Sequence, residues 1–183
     1  MNFSVGELLE QKKIVVIVRK IYGNPLKNLA EALIEGGIRF LEVTFDQADK
    51  DCVKKTQEAI SQLKGICGQE VFIGAGTVLT EDQVMAAHAA NAQFIISPNT
   101  DYDVIHRTKQ LGLLSIPGAM TPSEILSAHK FGADFVKIFP ANDLGLRYIK
   151  NIKAPISHVK MVATAGVNEE NFAEYLKAGY IGA

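Results

Sequence analysis

Asp134-Phe-Val-Lys-Ile-Phe-Pro140 is apolar at nearly every position, yet it carries a lysine at its centre. Read as a strand, it alternates Phe135, Lys137 and Phe139 on one face with Val136 and Ile138 on the other. Pro140 then stops it. A strand this apolar on both faces belongs in a sheet that is covered on both sides. Burying an ammonium among aromatic rings is costly. The setting therefore favours a neutral amine with a lowered pKa, able to attack a carbonyl carbon. Two blander readings stand beside this one: a strand less buried than its composition suggests, or a lysine paired with a carboxylate.

Working outward, the same kind of strand recurs. Lys13-Ile-Val-Val-Ile-Val-Arg19, Arg39-Phe-Leu-Glu-Val-Thr-Phe45, Val71-Phe-Ile-Gly-Ala-Gly-Thr77, Phe94-Ile-Ile-Ser-Pro98 and Leu113-Leu-Ser-Ile-Pro117 precede the lysine strand, and Lys160-Met-Val-Ala-Thr164 follows it. Helical stretches separate them. Ser4 and Glu7 form a capping-box pattern for a short opening helix, and Thr121-Pro-Ser-Glu124 does the same further on. Asn24-Pro25 reads as a cap followed by proline at the first helical position. Leu26, Leu29, Ala30, Leu33 and Ile34 then mark an amphipathic helix that Gly36-Gly37 ends. Thr80 with Gln83 caps a further helix, and others are predicted over about 49–64, 102–110 and 168–178. Strand and helix alternate about every 20 to 28 residues, which predicts a parallel sheet with helices outside. Seven such units, with Tyr180-Ile-Gly-Ala183 opening an eighth strand, favour an α/β fold of the (β/α)8 TIM-barrel type over a doubly wound sheet. The latter calls for a glycine fingerprint after the first strand, and Arg19-Lys-Ile-Tyr-Gly-Asn has none. The expectation is a single barrel domain over residues 1–183, with a short N-terminal helix and with the eighth strand and C-terminal helix cut short.

Composition narrows the class. The chain has 183 residues, a net charge of -1 and 48% hydrophobic residues, enough for one sizeable core. Near-neutral charge argues against nucleic acid or an anionic membrane as partner. No apolar run approaches a membrane span, and the first residues lack the basic-then-apolar layout of a signal peptide. Cys52 and Cys67 form no disulfide framework or CxxC pair, which fits a reducing, cytoplasmic setting. His88, His106, His129 and His158 are scattered without metal-ligand spacing and read as surface residues, so no metal site is expected.

Barrel enzymes carry their chemistry at the C-terminal ends of the strands. There the sequence offers Arg19 after the first strand, Glu42 and Thr44 on one face of the second, Thr77 after the third, Ser97-Pro98 after the fourth, and Lys137 in the sixth. Glu42 is a second charge that a buried strand should not hold unless it is paired or working. It is either a salt-bridge partner of Lys137 or Arg19, or a general base tuned by burial and by those cations. An amine that condenses with a ketone, and a carboxylate that moves protons, make a retro-aldol toolkit. From the residues alone the reading stops at a lysine-dependent barrel enzyme, a lyase.

Glu-Val-Thr at 42–44, Gly-Ala-Gly-Thr-Val-Leu at 74–79, Ile-Ser-Pro at 96–98, Ile-Pro-Gly at 116–118, Thr-Pro-Ser-Glu at 121–124 and Lys-Ile-Phe-Pro-Ala at 137–141 occur in that order. Together they resemble the 2-keto-3-deoxy-6-phosphogluconate (KDPG) aldolase / 4-hydroxy-2-oxoglutarate (KHG) aldolase family, from about Lys13 onward. The resemblance implies a class I aldolase that cleaves a 2-keto acid to pyruvate plus glyceraldehyde 3-phosphate or glyoxylate. It implies no cofactor beyond the lysine imine, a homotrimeric cytoplasmic enzyme, and a place in Entner–Doudoroff carbohydrate metabolism. Lys137 takes the Schiff-base position and Glu42 that of the proton carrier. Arg19, Thr77, Pro98, Phe139, Thr164 and Gly166 take substrate-binding positions. The chain departs from the family pattern in three places. Asp46 stands where some members have arginine, Ala165 stands where glycine is common, and the segment that completes the phosphate site lies beyond Ala183. A phosphate-binding barrel isomerase or epimerase, and a non-catalytic sugar-acid-binding relative, are the alternatives.

Overall fold

The computed structural model describes residues 4–183; the first three residues of the stretch read for a leader lie outside it. Its elements are α1 (Val5–Lys12), β1 (Val15–Val18), α2 (Gly23–Glu35), β2 (Phe40–Thr44), α3 (Cys52–Ile66), β3 (Phe72–Gly76), α4 (Glu81–Ala89), β4 (Phe94–Ile96), α5 (Tyr102–Gln110), β5 (Leu114–Ile116), β6 (Gly118–Ala119), α6 (Pro122–Lys130), β7 (Val136–Ile138), α7 (Ala141–Lys153), β8 (Met161–Ala163) and α8 (Phe172–Ala178). Every strand pair is parallel. Sheet order runs β1-β2-β3-β4-β5 and then β6-β7-β8. The last residues close the ring. Ala163 N–H donates to the Gly182 carbonyl (2.9 Å), and Val15 N–H to the Ala183 carbonyl (2.8 Å). The expected parallel α/β barrel of the (β/α)8 type forms, with the eighth strand expected at 180–183 reduced to a single bridge between Val162 and Gly182.

Register sorts the side chains. Ile17 aligns with Glu42, and Lys137 with Val162, so these face inward together. Leu41, Val43, Ile73 and Ala75 face outward and pack under α2, α3 and α4 in one core. Val136, Ile138, Met161 and Ala163 do the same under α6, α7 and α8 in a second. A third core fills the barrel: Phe40, Phe94, Ile96, Ile116, Phe135 and Val162, closed from below by Leu9 of α1. Phe40 stacks on Phe72 with centroids 4.8 Å apart, a floor of rings beneath the polar layer.

Both expected capping boxes form. Ser4 accepts from Glu7 N–H while Glu7 accepts from Ser4 N–H, and Thr121 and Glu124 do likewise. Three expectations change. The fifth strand expected over 113–117 forms as β5, and an unexpected short strand, β6, follows it, the two separated because Pro117 has no N–H to continue the ladder. Its carbonyl still accepts from Lys137 N–H at 2.8 Å, which joins the two sheets. Helix α2 starts at Gly23, whose φ of +62° turns the chain in after an extended Tyr22, so Asn24 is not its cap. Helices α3 and α8 start at Cys52 and Phe172, later than their polar first turns suggest.

Candidate active site

Lys137 lies at the middle of β7, whose three residues are all buried. It is 6% exposed, and its Nζ sits 4.9 Å from the centroid of the Phe139 ring. Glu42 lies at the middle of β2 and is 3% exposed. Both line a cavity of about 720 Å³ that follows β1 and the turn after β8, from Leu9 and Lys13 to Thr164 and Glu169, with Ile17, Ile96, Ile116 and Val162 as its apolar wall. Glu42 forms no ion pair or hydrogen bond among the described residues, so the salt-bridge reading is not what the geometry shows.

Small residues make the room. A Cβ on Gly76 would lie 1.6 Å from Glu42 Oε1, so the carboxylate rests directly on the glycine backbone. A Cβ on Gly118, which pairs with Lys137, would lie 2.3 Å from the Pro98 carbonyl oxygen. Each functional side chain is thus framed by a glycine in the neighbouring strand.

Burial drives both titrations the same way. It raises the Glu42 carboxyl pKa above the usual carboxylate range, against the pull of Lys137 and Arg19. It lowers the Lys137 ammonium pKa below the ordinary lysine range, with Glu42 opposing and Arg19 assisting. Removing both from water favours their neutral forms, a free amine and a carboxylic acid. That pairing is a nucleophile with a proton donor in the same cavity.

The remaining predicted residues divide. Thr164 and Gly166 line the cavity. Ala165 and Gly166 are both left-handed, at φ +80° and +73°. Alanine therefore adopts the turn where glycine is common, at a cost of about 1–2 kcal/mol for an L residue. Glycine is needed next to it, because a Cβ on Gly166 would meet Asn142 Cβ at 2.4 Å. Arg19, Thr77, Pro98 and Phe139 do not line the cavity; they follow the last residues of β1, β3, β4 and β7. Arg19 is exposed and close enough to act on both titrating groups. Thr77 follows Gly76, Pro98 abuts Gly118, and Phe139 covers Lys137. Asp46 pairs with Lys20 Nζ at 2.8 Å, which holds its carboxyl pKa below the usual range and offsets its charge at the rim.

Sequence reading did not single out Gln47 and Gln83 as site residues. Gln47 Nε2 donates to the Thr77 carbonyl (2.6 Å), and Gln83 Nε2 donates to Gln47 Oε1 (2.9 Å). The available signal was Gln83 on the core-facing side of α4, beside Val84, Ala86 and Ala87. No group of three or more His, Cys, Asp or Glu among the described residues could hold a metal ion. No helix among them is long and apolar enough to cross a membrane.

The chain is similar to known proteins over most of its length. A family model described as KDPG and KHG aldolase matches residues 5–183. The 2-dehydro-3-deoxy-phosphogluconate aldolase of Treponema pallidum is 37% identical over 174 residues, covering 94% of this chain and 80% of that protein. The 2-dehydro-3-deoxy-6-phosphogalactonate aldolase of Escherichia coli is 32% identical over 171 residues, covering 93% and 80%. A KDPG aldolase from Legionella pneumophila, solved with pyruvate captured as a covalent carbinolamine, superposes with a TM-score of 0.82. It is 30% identical and covers 97% of this chain and 84% of its own.

Proposed function

The chain belongs to the KDPG and KHG aldolase family, and from that premise we propose that it is a class I aldolase releasing pyruvate, with Lys137 as the nucleophile and Glu42 as the proton carrier. The neutral Lys137 amine adds to the C2 carbonyl of a 2-keto-3-deoxy acid. The carbinolamine loses water to give an iminium. A base takes the proton of the C4 hydroxyl, the C3–C4 bond breaks, and its electron pair moves into the iminium to leave an enamine. The aldehyde departs, C3 is protonated, and water returns pyruvate and the free amine. Glu42 can shuttle these protons, because burial keeps its pKa high enough to hold and release one. Arg19, Thr77, Thr164 and Gly166 bind the acid groups of the substrate; Pro98 and Phe139 shape its approach at the ends of β4 and β7.

One observation carries this reading: a lysine and a carboxylate, both nearly inaccessible, share one cavity of the barrel. Substrates of the kind named for the relatives, yielding glyceraldehyde 3-phosphate or glyoxylate, fit the same chemistry. The imine needs no external cofactor. We further propose a single barrel domain, a homotrimer and a cytoplasmic role in Entner–Doudoroff carbohydrate metabolism. The test is borohydride reduction with pyruvate, followed by peptide mapping. A reduced adduct on Lys137 is expected. An adduct on another lysine discards the site, and no adduct on folded protein discards the class I reaction.

A further inference from the structure

Thr77 has φ +55°, a left-handed conformation uncommon for any side-chain-bearing residue and an outlier for a β-branched one. Such a residue stays there only where its surroundings over-determine it. Here the turn is tied at successive peptides. Phe45 N–H donates to the Gly76 carbonyl at 2.9 Å, and Val78 N–H to the Ile96 carbonyl at 3.2 Å. Between and beyond these, Gln47 Nε2 holds the Thr77 carbonyl at 2.6 Å, and Leu79 N–H donates to Gln83 Oε1 at 2.7 Å. Gln83 Nε2 completes the loop to Gln47 Oε1 at 2.9 Å.

Gln83 is only 6% exposed, on a helix face that otherwise buries valine and alanine. An amide there is costly unless its donors and acceptors are satisfied, and the groups that satisfy it are those that fix the Thr77 turn. Gln47 is steadied from its own side. Asp46 Oδ1 accepts from Ala48 N–H at 3.3 Å, and Asp46 Oδ2 lies 2.8 Å from Lys20 Nζ. Meanwhile the N–H and hydroxyl of Thr77 have no partner among the described residues.

We propose that Gln83, acting through Gln47, is a positioning residue that keeps Thr77 in its left-handed turn so that its free donors meet the substrate carboxylate. This rests on the aldolase reading above. The clamp governs how tightly the keto acid is held and leaves the lysine chemistry alone.

Exchange of the pyruvate methyl protons for deuterium, followed by NMR on the full chain, reads both parameters without choosing an aldehyde. For Gln83→Leu, KM for pyruvate is expected to rise about tenfold, the scale of one hydrogen bond to a charged group, with kcat within about twofold. Gln47→Leu, at an exposed position where folding is not at risk, is expected to do the same. In a Thr77→Gly background either change adds little, because glycine has no left-handed penalty to resist and no hydroxyl to aim. An unchanged KM, a loss confined to kcat, or an equal KM rise in the glycine background overturns the proposal. Borohydride trapping of the unsubstituted protein separates the two failures. No adduct overturns both readings, whereas an adduct on Lys137 with unchanged KM in the glutamine variants overturns this one alone.

Discussion

Replacing Gly76 by alanine moves Glu42 and leaves the Lys137 amine in place as a chemical group. The new Cβ would stand 1.6 Å from Oε1, 2.3 Å from Cδ and 2.5 Å from Cγ of Glu42. Ordinary contact begins at 3.4 Å, so the carboxylate oxygen must retreat by 1.8 Å. Gly76 sits in regular β3 backbone, so alanine adds no backbone strain. The obstacle is the Glu42 side chain from Cγ outward, which borders the cavity and can move as a unit, so the stability cost should fall within the overpacking range of about 1–3 kcal/mol. That corresponds to roughly 2–4 °C of Tm per kcal/mol for a chain of this size. Proton transfer should suffer far more. A displacement of that size takes the carboxyl out of reach of its proton, and general acid–base catalysis of about 10²–10⁴-fold is at stake. The assay is deuterium exchange into pyruvate, with borohydride trapping and thermal unfolding as controls. Exchange should collapse while the Lys137 adduct still forms, and Gly76→Ala should add little on top of Glu42→Gln. Wild-type exchange in a folded Gly76→Ala protein would refute both the geometry and the role of Glu42.

Two further outcomes follow from the same site. Lys137→Met abolishes adduct formation, and in a Glu42→Gln background it raises stability at neutral pH. The folded lysine has a lowered pKa, so between that value and the ordinary 10.5 the unfolded chain binds more protons and stability climbs with pH. The methionine advantage, read from Tm at a series of pH values, should therefore shrink as pH rises toward 10.5; a constant gap rejects the lowered pKa. Gly118→Ala should destabilise more than Gly76→Ala, because its Cβ meets backbone, the Pro98 carbonyl oxygen at 2.3 Å, which cannot swing aside. Equal unfolding midpoints for the two variants would contradict that ranking.

Much of this was legible because buried parallel strands are read from continuous apolar runs, and β2 and β7 each interrupt such a run with one charge. Lys137 and Glu42 stood out for that reason, and the cavity unites them. Thr77, Pro98, Arg19 and Phe139 follow the last residues of their strands, as their places in the sequence predict. What the sequence concealed depends on long-range or backbone terms. The strand read over 113–117 ends at Pro117, and only the ladder reveals that pairing resumes at Gly118–Ala119. Helix α7 starts from Pro140 without a side-chain cap and carries Gly145 at φ +72°, so no local signal marks it. Gln47 and Gln83 are distant in sequence and act on a backbone carbonyl and an amide. Glutamines ordinarily read as surface residues, and only the fold brings this pair to Thr77.

The division at Pro117 also bears on how the chain reaches activity. Glu42 belongs to the five-stranded sheet with its own outer core, and Lys137 to the three-stranded sheet with another. Neighbours in the larger sheet are consecutive in sequence, so it can assemble from short-range contacts. The ring closes only when Lys13 and Val15 find Ala183, a slow, long-range event. A refolding chain should therefore protect the amides of β2, β3 and β4 from exchange before it regains any turnover of pyruvate. Pulsed hydrogen exchange beside an activity time course would show turnover lagging behind sheet formation, since the nucleophile and its proton donor meet only when the two halves dock.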